Sequence, residues 1–99
     1  MAKLAIVATI KTVTGKRDEY LKFLAAHGKR CLESEPGTLR FDIMLPQAEA
    51  EADTILLYEV YASPEAFDTH LNGASMKQIR NEATSLQVSL KGTRCTLIE

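Results

Sequence analysis

The sequence contains no tryptophan and only two cysteines, Cys31 and Cys95. These cysteines form no CxxC motif and no segment directs export, so we expect reduced, buried thiols rather than a disulfide or a zinc site. Histidines and carboxylates do not cluster at metal-ligand spacing, and neither a glycine-rich phosphate loop nor a catalytic serine elbow occurs. The sequence therefore predicts no metal and no other cofactor.

An excess of charge of one sign and a long apolar run are also missing. The 12 basic and 13 acidic residues are interspersed and leave a net charge of -1, which argues against nucleic acid as a partner. The apolar run from Leu4 to Ile10 is far shorter than the roughly 20 residues of a membrane span. We expect a cytoplasmic protein without a membrane partner.

What is present is the composition of an ordinary globular protein. Apolar residues make up 45% of the chain and charged residues 25%. Since most domains hold about 50 to 200 residues, a chain of 99 residues has room for one core. We therefore expect a single domain over residues 1–99.

The hydrophobic pattern alternates between the periods of strands and helices. Four segments have the pattern of strands: 3–12, 38–45, 54–61 and 86–98. Residues 16–35 repeat apolar side chains every three or four positions, which predicts an amphipathic helix that ends at Pro36-Gly37. The acidic segment 47–53 is a surface loop or a helix fragment.

Local signals divide the second half of the chain. Ser63-Pro64-Glu65 is a strong helix start, because serine caps backbone donors and proline is tolerated at the first position. Asn72-Gly73 predicts a break before a short helix that begins at Ser75. Gly92 predicts a kink or bulge in the last strand.

This order of elements predicts an α+β fold of the ferredoxin-like type, βαββαβ, with an antiparallel sheet and helices on one face. In segment 38–45, alternation places Leu39 on the same face as Phe41. In segment 54–61, one face carries Ile55, Leu57, Glu59 and Tyr61, and the other carries Leu56, Tyr58 and Val60. Because both faces are largely apolar, the second needs a cover, and we expect a homodimer that packs sheet against sheet.

Three segments also carry a family resemblance: Glu35–Asp42, Leu57–Tyr61 and Ser63–Leu71. Together they resemble the antibiotic biosynthesis monooxygenase family of dimeric α/β barrel proteins, which includes quinol monooxygenases. The resemblance implies oxidation of a small quinol-like or phenolic molecule by oxygen, without metal or flavin. Leu39–Asp42 and Tyr58–Tyr61 also resemble isomerases of the phosphorylated dione of the autoinducer pathway. Haem-degrading relatives use a tryptophan, which this chain lacks.

Three residues are candidates for catalysis. His70 matches the family histidine and has an inward helical phase, so we expect it to transfer protons. Tyr61 takes the place of a family tryptophan and could orient a substrate oxygen. His27 lies on the apolar stripe of the long helix and could replace a second family histidine, whose place Ser75 holds. For each residue, packing alone is the competing interpretation.

Four further residues are candidates for substrate binding: Glu59, Phe67, Arg40 and Leu57. A buried Glu59 should have a raised pKa and could accept a proton, or it could make a structural hydrogen bond. Arg40 could hold a phosphate or carboxylate, or simply pair with Asp42. Because each polar residue has such a structural alternative, a non-catalytic dimeric ligand-binding module remains a third hypothesis beside monooxygenase and isomerase.

Overall fold

A computed structural model describes residues 2–99 and contains four strands and three α-helices. The strands are β1 (Leu4–Thr12), β2 (Thr38–Met44), β3 (Thr54–Tyr61) and β4 (Gln87–Thr96). The helices are α1 (Arg17–Ser34), α2 (Pro64–Leu71) and α3 (Ala74–Ala83), with short 3₁₀ turns at Glu49–Glu51 and Thr84–Leu86. No helix within residues 2–99 is both long and apolar enough to cross a membrane.

The four strands form one antiparallel sheet in the order β2-β3-β1-β4. The central strand β1 pairs with β3 from Leu4 opposite Tyr61 to Lys11 opposite Thr54. The helices cover one face, where Tyr20 and Leu24 of α1 pack against the inward residues of β1 and β3. This arrangement confirms the ferredoxin-like α+β fold.

Local signals place the helix ends where the sequence predicts them. The Ser63 hydroxyl accepts a hydrogen bond of 3.1 Å from the Ala66 backbone N–H, and Pro64 occupies the first turn of α2. The break at Asn72-Gly73 separates α2 from α3. The helix-fragment alternative for the acidic loop is also correct, since the 3₁₀ turn lies there.

Two irregularities of the sheet lie elsewhere than predicted. Gly92 pairs regularly with Ala8, and the β1–β4 register shifts instead between Lys11 and Thr12. A second shift follows Thr38, which faces the helices opposite Tyr61. The prediction that Leu39 shares the inward face of Phe41 is wrong, because this shift leaves Leu39 unpaired and 46% exposed.

Two glycines allow close approaches between elements. A Cβ atom on Gly28 of α1 would lie 2.6 Å from Cδ1 of Phe41 on β2. A Cβ atom on Gly37, just before β2, would lie 2.5 Å from Cβ of Ala66 on α2. Both distances are far below van der Waals contact, so these glycines set how closely α1 and α2 approach the β2 end of the sheet.

Candidate active site

A cavity of about 480 Å³ lies between the helix-covered face of the sheet and the helices. Its volume falls within the range of small-molecule sites, roughly 300 to 1,000 Å³. Apolar side chains form most of its wall, among them Ile6, Leu24, Leu57 and Phe67. The polar groups that reach it from the sheet and the helices include Glu59, His27 and His70. Both histidines therefore face one shared space.

His70 is held by a carboxylate that the sequence did not suggest. Its Nδ1 atom lies 2.8 Å from Oε1 of Glu35, and the Thr38 hydroxyl donates to the same oxygen at 2.8 Å. Burial pushes the pKa of Glu35 upward, but the hydrogen bonds from His70 and Thr38 outweigh it and the net shift is downward. Because the ionised carboxylate only accepts, Nδ1 carries the proton and Nε2 of His70 is left for the cavity.

Glu59 and Tyr61 form a buried pair beside His70. The Tyr61 hydroxyl donates a hydrogen bond to Oε1 of Glu59, and the same oxygen lies 4.0 Å from Nε2 of His70. Burial raises the pKa of Glu59, although the bond from Tyr61 opposes this. Burial and the charge of Glu59 together raise the pKa of Tyr61. Tyr61 is fully buried, so its hydroxyl acts on the site through Glu59.

His27 is linked to Ser75, the residue that stands in the place of a second family histidine. Arg30 Nε donates to Ser75 Oγ at 2.9 Å, and this oxygen lies 2.9 Å from His27 Nδ1. We assign the Ser75 hydroxyl as the donor to Nδ1, which gives His27 the tautomer with hydrogen on Nε2, 3.6 Å from Cys31 Sγ. Burial, followed by the charges of His70 and Arg30, lowers the pKa of His27 to about 4.

The low pKa of His27 predicts acid sensitivity. An unfolded chain protonates this imidazole near its ordinary pKa of 6.5, whereas the folded chain does so near 4. Between these values the unfolded state binds more protons, so the free energy of unfolding falls as the pH is lowered, by up to about 3 kcal/mol.

Replacing His27 by Gln should remove this part of the pH dependence. The pKa of Glu35 is also shifted downward and that of Glu59 upward, so the measured quantity is the difference between the wild type and His27→Gln in urea-unfolding free energy, followed from pH 7 to pH 4. We expect the wild type to lose stability relative to His27→Gln over this window. Parallel profiles would contradict the assignment of His27 as a neutral, buried imidazole.

The remaining predicted residues divide between the two faces of the sheet. Leu57 and Phe67 line the cavity, and the Phe67 ring lies 4.9 Å from that of Tyr61. Arg40 lies on the opposite face, where Nε contacts Asp42 Oδ2 at 2.6 Å and the guanidinium lies 5.4 Å from the Tyr58 ring centre. Arg40 therefore does not line this cavity, because the strand pleat directs it away, and it makes the pair with Asp42 that the sequence offered as the alternative to binding a phosphate or carboxylate.

One group of side chains could hold a metal ion after a rearrangement. Ligand atoms of His27, Cys31 and His70 all lie within 4.8 Å of one another. Ligands on a tetrahedral zinc ion are about 3.3 to 3.8 Å apart, so the group would have to contract. Burial raises the pKa of the Cys31 thiol to about 11, which disfavours the thiolate that a metal requires. The sequence did not suggest this group, since its members belong to two helices, α1 and α2, that lie far apart in the sequence.

Comparison with known proteins identifies the family. The model of the antibiotic biosynthesis monooxygenase family matches residues 4–82. The chain belongs to this family. The match extends from β1 into α3 and includes His27, Glu35, Glu59 and His70, whereas β4 lies beyond it. No curated protein matches the sequence significantly.

Solved structures share the family fold at low sequence identity. A protein of Caulobacter crescentus CB15 named for the same family superimposes with a TM-score of 0.89 at 20% identity, over 99% of this chain and 92% of that one. A Nitrosomonas europaea protein superimposes with a TM-score of 0.87 at 19% identity, over 98% of this chain and 91% of that one. A protein from Chloroflexus aurantiacus J-10-fl superimposes with a TM-score of 0.82 at 20% identity, over 99% of this chain and 95% of that one. At this identity the likeness shows the antibiotic biosynthesis monooxygenase fold and not a reaction.

Proposed function

We propose that this protein is a cofactor-independent monooxygenase of a small phenol, quinol or anthrone. The observation that carries the proposal is the pair of histidines on one cavity. Their ring centres are 5.5 Å apart, and the two imidazoles are assigned different tautomers. His70 offers a free Nε2 lone pair backed by the Glu35 carboxylate. His27 is neutral near pH 7 and offers an Nε2–H donor. A base and an oxyanion stabiliser are what deprotonation of such a substrate requires.

The first step is removal of a substrate proton. Nε2 of His70 takes the proton, and the Glu35 carboxylate 2.8 Å from Nδ1 stabilises the imidazolium that forms. Negative charge then develops on the substrate oxygen, and this oxygen accepts a hydrogen bond from the Nε2–H of His27. A largely apolar wall strengthens both interactions, because few water dipoles compete with them.

The second step joins the electron-rich anion to oxygen. For an anthrone, the carbanion reduces O₂ and forms a carbon–oxygen bond, and the imidazolium of His70 returns its proton to the peroxide. Loss of water then converts the original CH₂ into C=O, so one oxygen atom enters the product and the other leaves as water. The carboxyl of Glu59, whose pKa burial raises, can protonate the leaving oxygen while His70 takes the remaining C–H proton.

Oxygen uptake tests this proposal directly. Protein freed of metals by chelation should consume oxygen with anthrone or menadiol faster than the spontaneous reaction, and ¹⁸O₂ should label the product. Arg40→Gln is the matched control, since Arg40 lies on the opposite face and its loss should leave the rate unchanged. If no electron-rich phenol, quinol or anthrone raises uptake above the spontaneous rate, the monooxygenase proposal is abandoned.

The same pair of imidazoles would also suit proton transfer between neighbouring carbons, as an isomerase requires. Such an enzyme should incorporate deuterium from solvent into a dione or ketose phosphate under anaerobic conditions. The isomerase hypothesis was based on Arg40 as the phosphate ligand, and that residue lies outside the cavity, so a phosphate in the cavity would have to bind other cationic side chains of its wall. A binding module is disfavoured because His27 and His70 share one cavity.

We further propose that two copies pack through the sheet face opposite the helices. This open face carries Leu56, Tyr58 and Val60 of β3, of which Val60 is already buried within the single chain. The register places Val7 of β1 beside Tyr58. Val7 is 49% exposed in the single chain, so this central strand presents an apolar side chain that a second copy would cover. Stable interfaces of split cores bury about 2,000 Å² or more.

Val7→Asp should convert the dimer into a monomer. Val7 is half-exposed in one chain, so the single chain can accommodate an aspartate there. In the dimer, two aspartates would face each other in an interface without water, which would strongly destabilise the association. Light scattering at micromolar concentration should give twice the chain mass for the wild type and one chain mass for the variant. Lys11→Gln is a control for the change in net charge, because it makes the same change of one unit at the exposed end of β1. A monomeric wild type would contradict the dimer.

A further inference from the structure

Strand β4 lies beyond the residues that match the family, and two of its inward residues, Gly92 and Arg94, are unusual for the inward face of a strand. The pairing with β1 places Leu90, Gly92 and Arg94 opposite Ile10, Ala8 and Ile6, on the side that the helices cover. All three β4 residues line the cavity. The inward face of an ordinary strand would carry apolar side chains at these positions.

Gly92 is not required by the backbone or by packing. Within residues 2–99 only Gly15 has a positive φ angle, and a Cβ on Gly92 would meet nothing closer than Ile6 Cγ2 at 3.7 Å, an ordinary contact. Glycine in a strand interior is destabilising relative to alanine. What the missing side chain leaves is open space in the cavity, above Gly92 and its small neighbour Ala8.

Two guanidinium groups reach the same cavity. Arg94 lies over the Phe67 ring at 5.1 Å from its centre, and Phe67 stacks on His70 with ring centres 6.1 Å apart and planes 19° from parallel. Arg80 of α3 also lines the cavity, and both arginines are solvent-exposed, so they lie at the open edge of the cavity. Neither arginine forms a salt bridge within residues 2–99.

The charge of the cavity wall is therefore positive on the β4 side. Glu59, the carboxylate that lines the cavity, lies on β3 next to Tyr61 and His70 and makes no salt bridge with either arginine. Guanidinium groups without carboxylate partners attract an anion and bind carboxylate or phosphate in a fork geometry. The apolar wall, which includes the Phe67 and Phe41 rings, and the open space above Gly92 suit an aromatic ring.

We propose that the ligand of this cavity is a planar aromatic anion whose ring lies over Gly92 and whose charged group binds Arg80 and Arg94. The inference rests on the proposed function only for the reaction that follows, since binding can be measured without turnover. Arg94 and His70 both lie against the Phe67 ring, so a ligand that binds Arg94 can extend along Phe67 toward His70.

The first test compares 1-hydroxy-2-naphthoate with the neutral 1-naphthol by fluorescence titration. We expect the carboxylate to bind at least tenfold more tightly in low salt, with a smaller difference as salt is added. Arg94→Gln and Arg80→Gln should each weaken naphthoate binding about tenfold and change naphthol binding less than twofold. Arg40→Gln, on the opposite face, should change neither.

The second test fills the space above the sheet. Gly92→Val should weaken binding of both naphthalenes at least tenfold while the melting temperature stays equal or rises, because valine favours strands. Equal affinities for the charged and neutral probes, an unchanged affinity in Gly92→Val, or tighter binding of glycerol 3-phosphate than of the naphthoate would each overturn the inference. Tight binding of the naphthoate without any oxygen uptake would sustain it and refute the monooxygenase instead.

Discussion

His70→Ala is expected to lower kcat for oxygen uptake by about 10² to 10⁴ while the protein remains folded. A positioned general base contributes an acceleration of this size, and Nε2 of His70 is the acceptor that the Glu35 contact leaves facing the cavity. The fold should survive, because Glu35 keeps its bond from the Thr38 hydroxyl and the lost imidazole borders an existing cavity. Steady-state uptake with anthrone and a thermal melt measure the two effects.

Glu35→Gln is the companion variant, since Glu35 is a positioning residue that acts through His70. The amide can still accept from Nδ1 but lacks the charge that stabilises the imidazolium, so kcat should fall about tenfold with little change in KM. The activity of His70→Ala should not fall further when Glu35→Gln is added. Wild-type kcat in His70→Ala would refute the role of His70 as the base.

Gly37→Ala is expected to destabilise the fold by about 2 to 3 kcal/mol, the upper range for overpacking a tight contact. The added Cβ would stand 2.5 Å from Cβ of Ala66, and neither atom belongs to a flexible side chain that could move aside. For a domain of this size the loss corresponds to a decrease in melting temperature of roughly 10 °C or more. A thermal melt of the variant beside the wild type measures it.

A second-site change separates this clash from the backbone effect of replacing a glycine. Ala66→Gly removes the other partner of the contact, so the double variant should recover most of the stability that Gly37→Ala loses. Gly92→Ala is the matched control, because its Cβ would meet only an ordinary contact of 3.7 Å. No recovery in the double variant would show that the contact does not limit the approach of α2.

The elements of the fold could be predicted because their causes are local. Period-two and helical patterns, the Ser63 cap and the Asn72-Gly73 break each depend on residues close in sequence. The bulge at Leu39 could not be predicted in this way, since it depends on which β3 residue stands opposite Thr38. An alternation rule carried through that position without interruption gives the wrong face for Leu39.

The site could be predicted only in part, for the same physical reason. Helical phase and the family resemblance suggested His70 and His27, and both line the cavity. The groups that set their chemistry come from distant parts of the chain: Glu35 lies 35 positions from His70, and Ser75 lies 48 positions from His27. Glu35 follows α1 and precedes Pro36, a position that by itself indicates only the end of a helix.

Strand β3 gives alternate residues to two different tasks. Leu57, Glu59 and Tyr61 point to the cavity side, while Leu56, Tyr58 and Val60 point to the open face. Consecutive side chains of a strand are directed oppositely, so a substitution at one position leaves the surroundings of the next largely unchanged. Substitutions that alter the cavity can therefore leave unchanged the open face through which we propose that a second copy packs. A single inserted residue would have the opposite effect, because it would direct Glu59 to the open face and Tyr58 to the cavity.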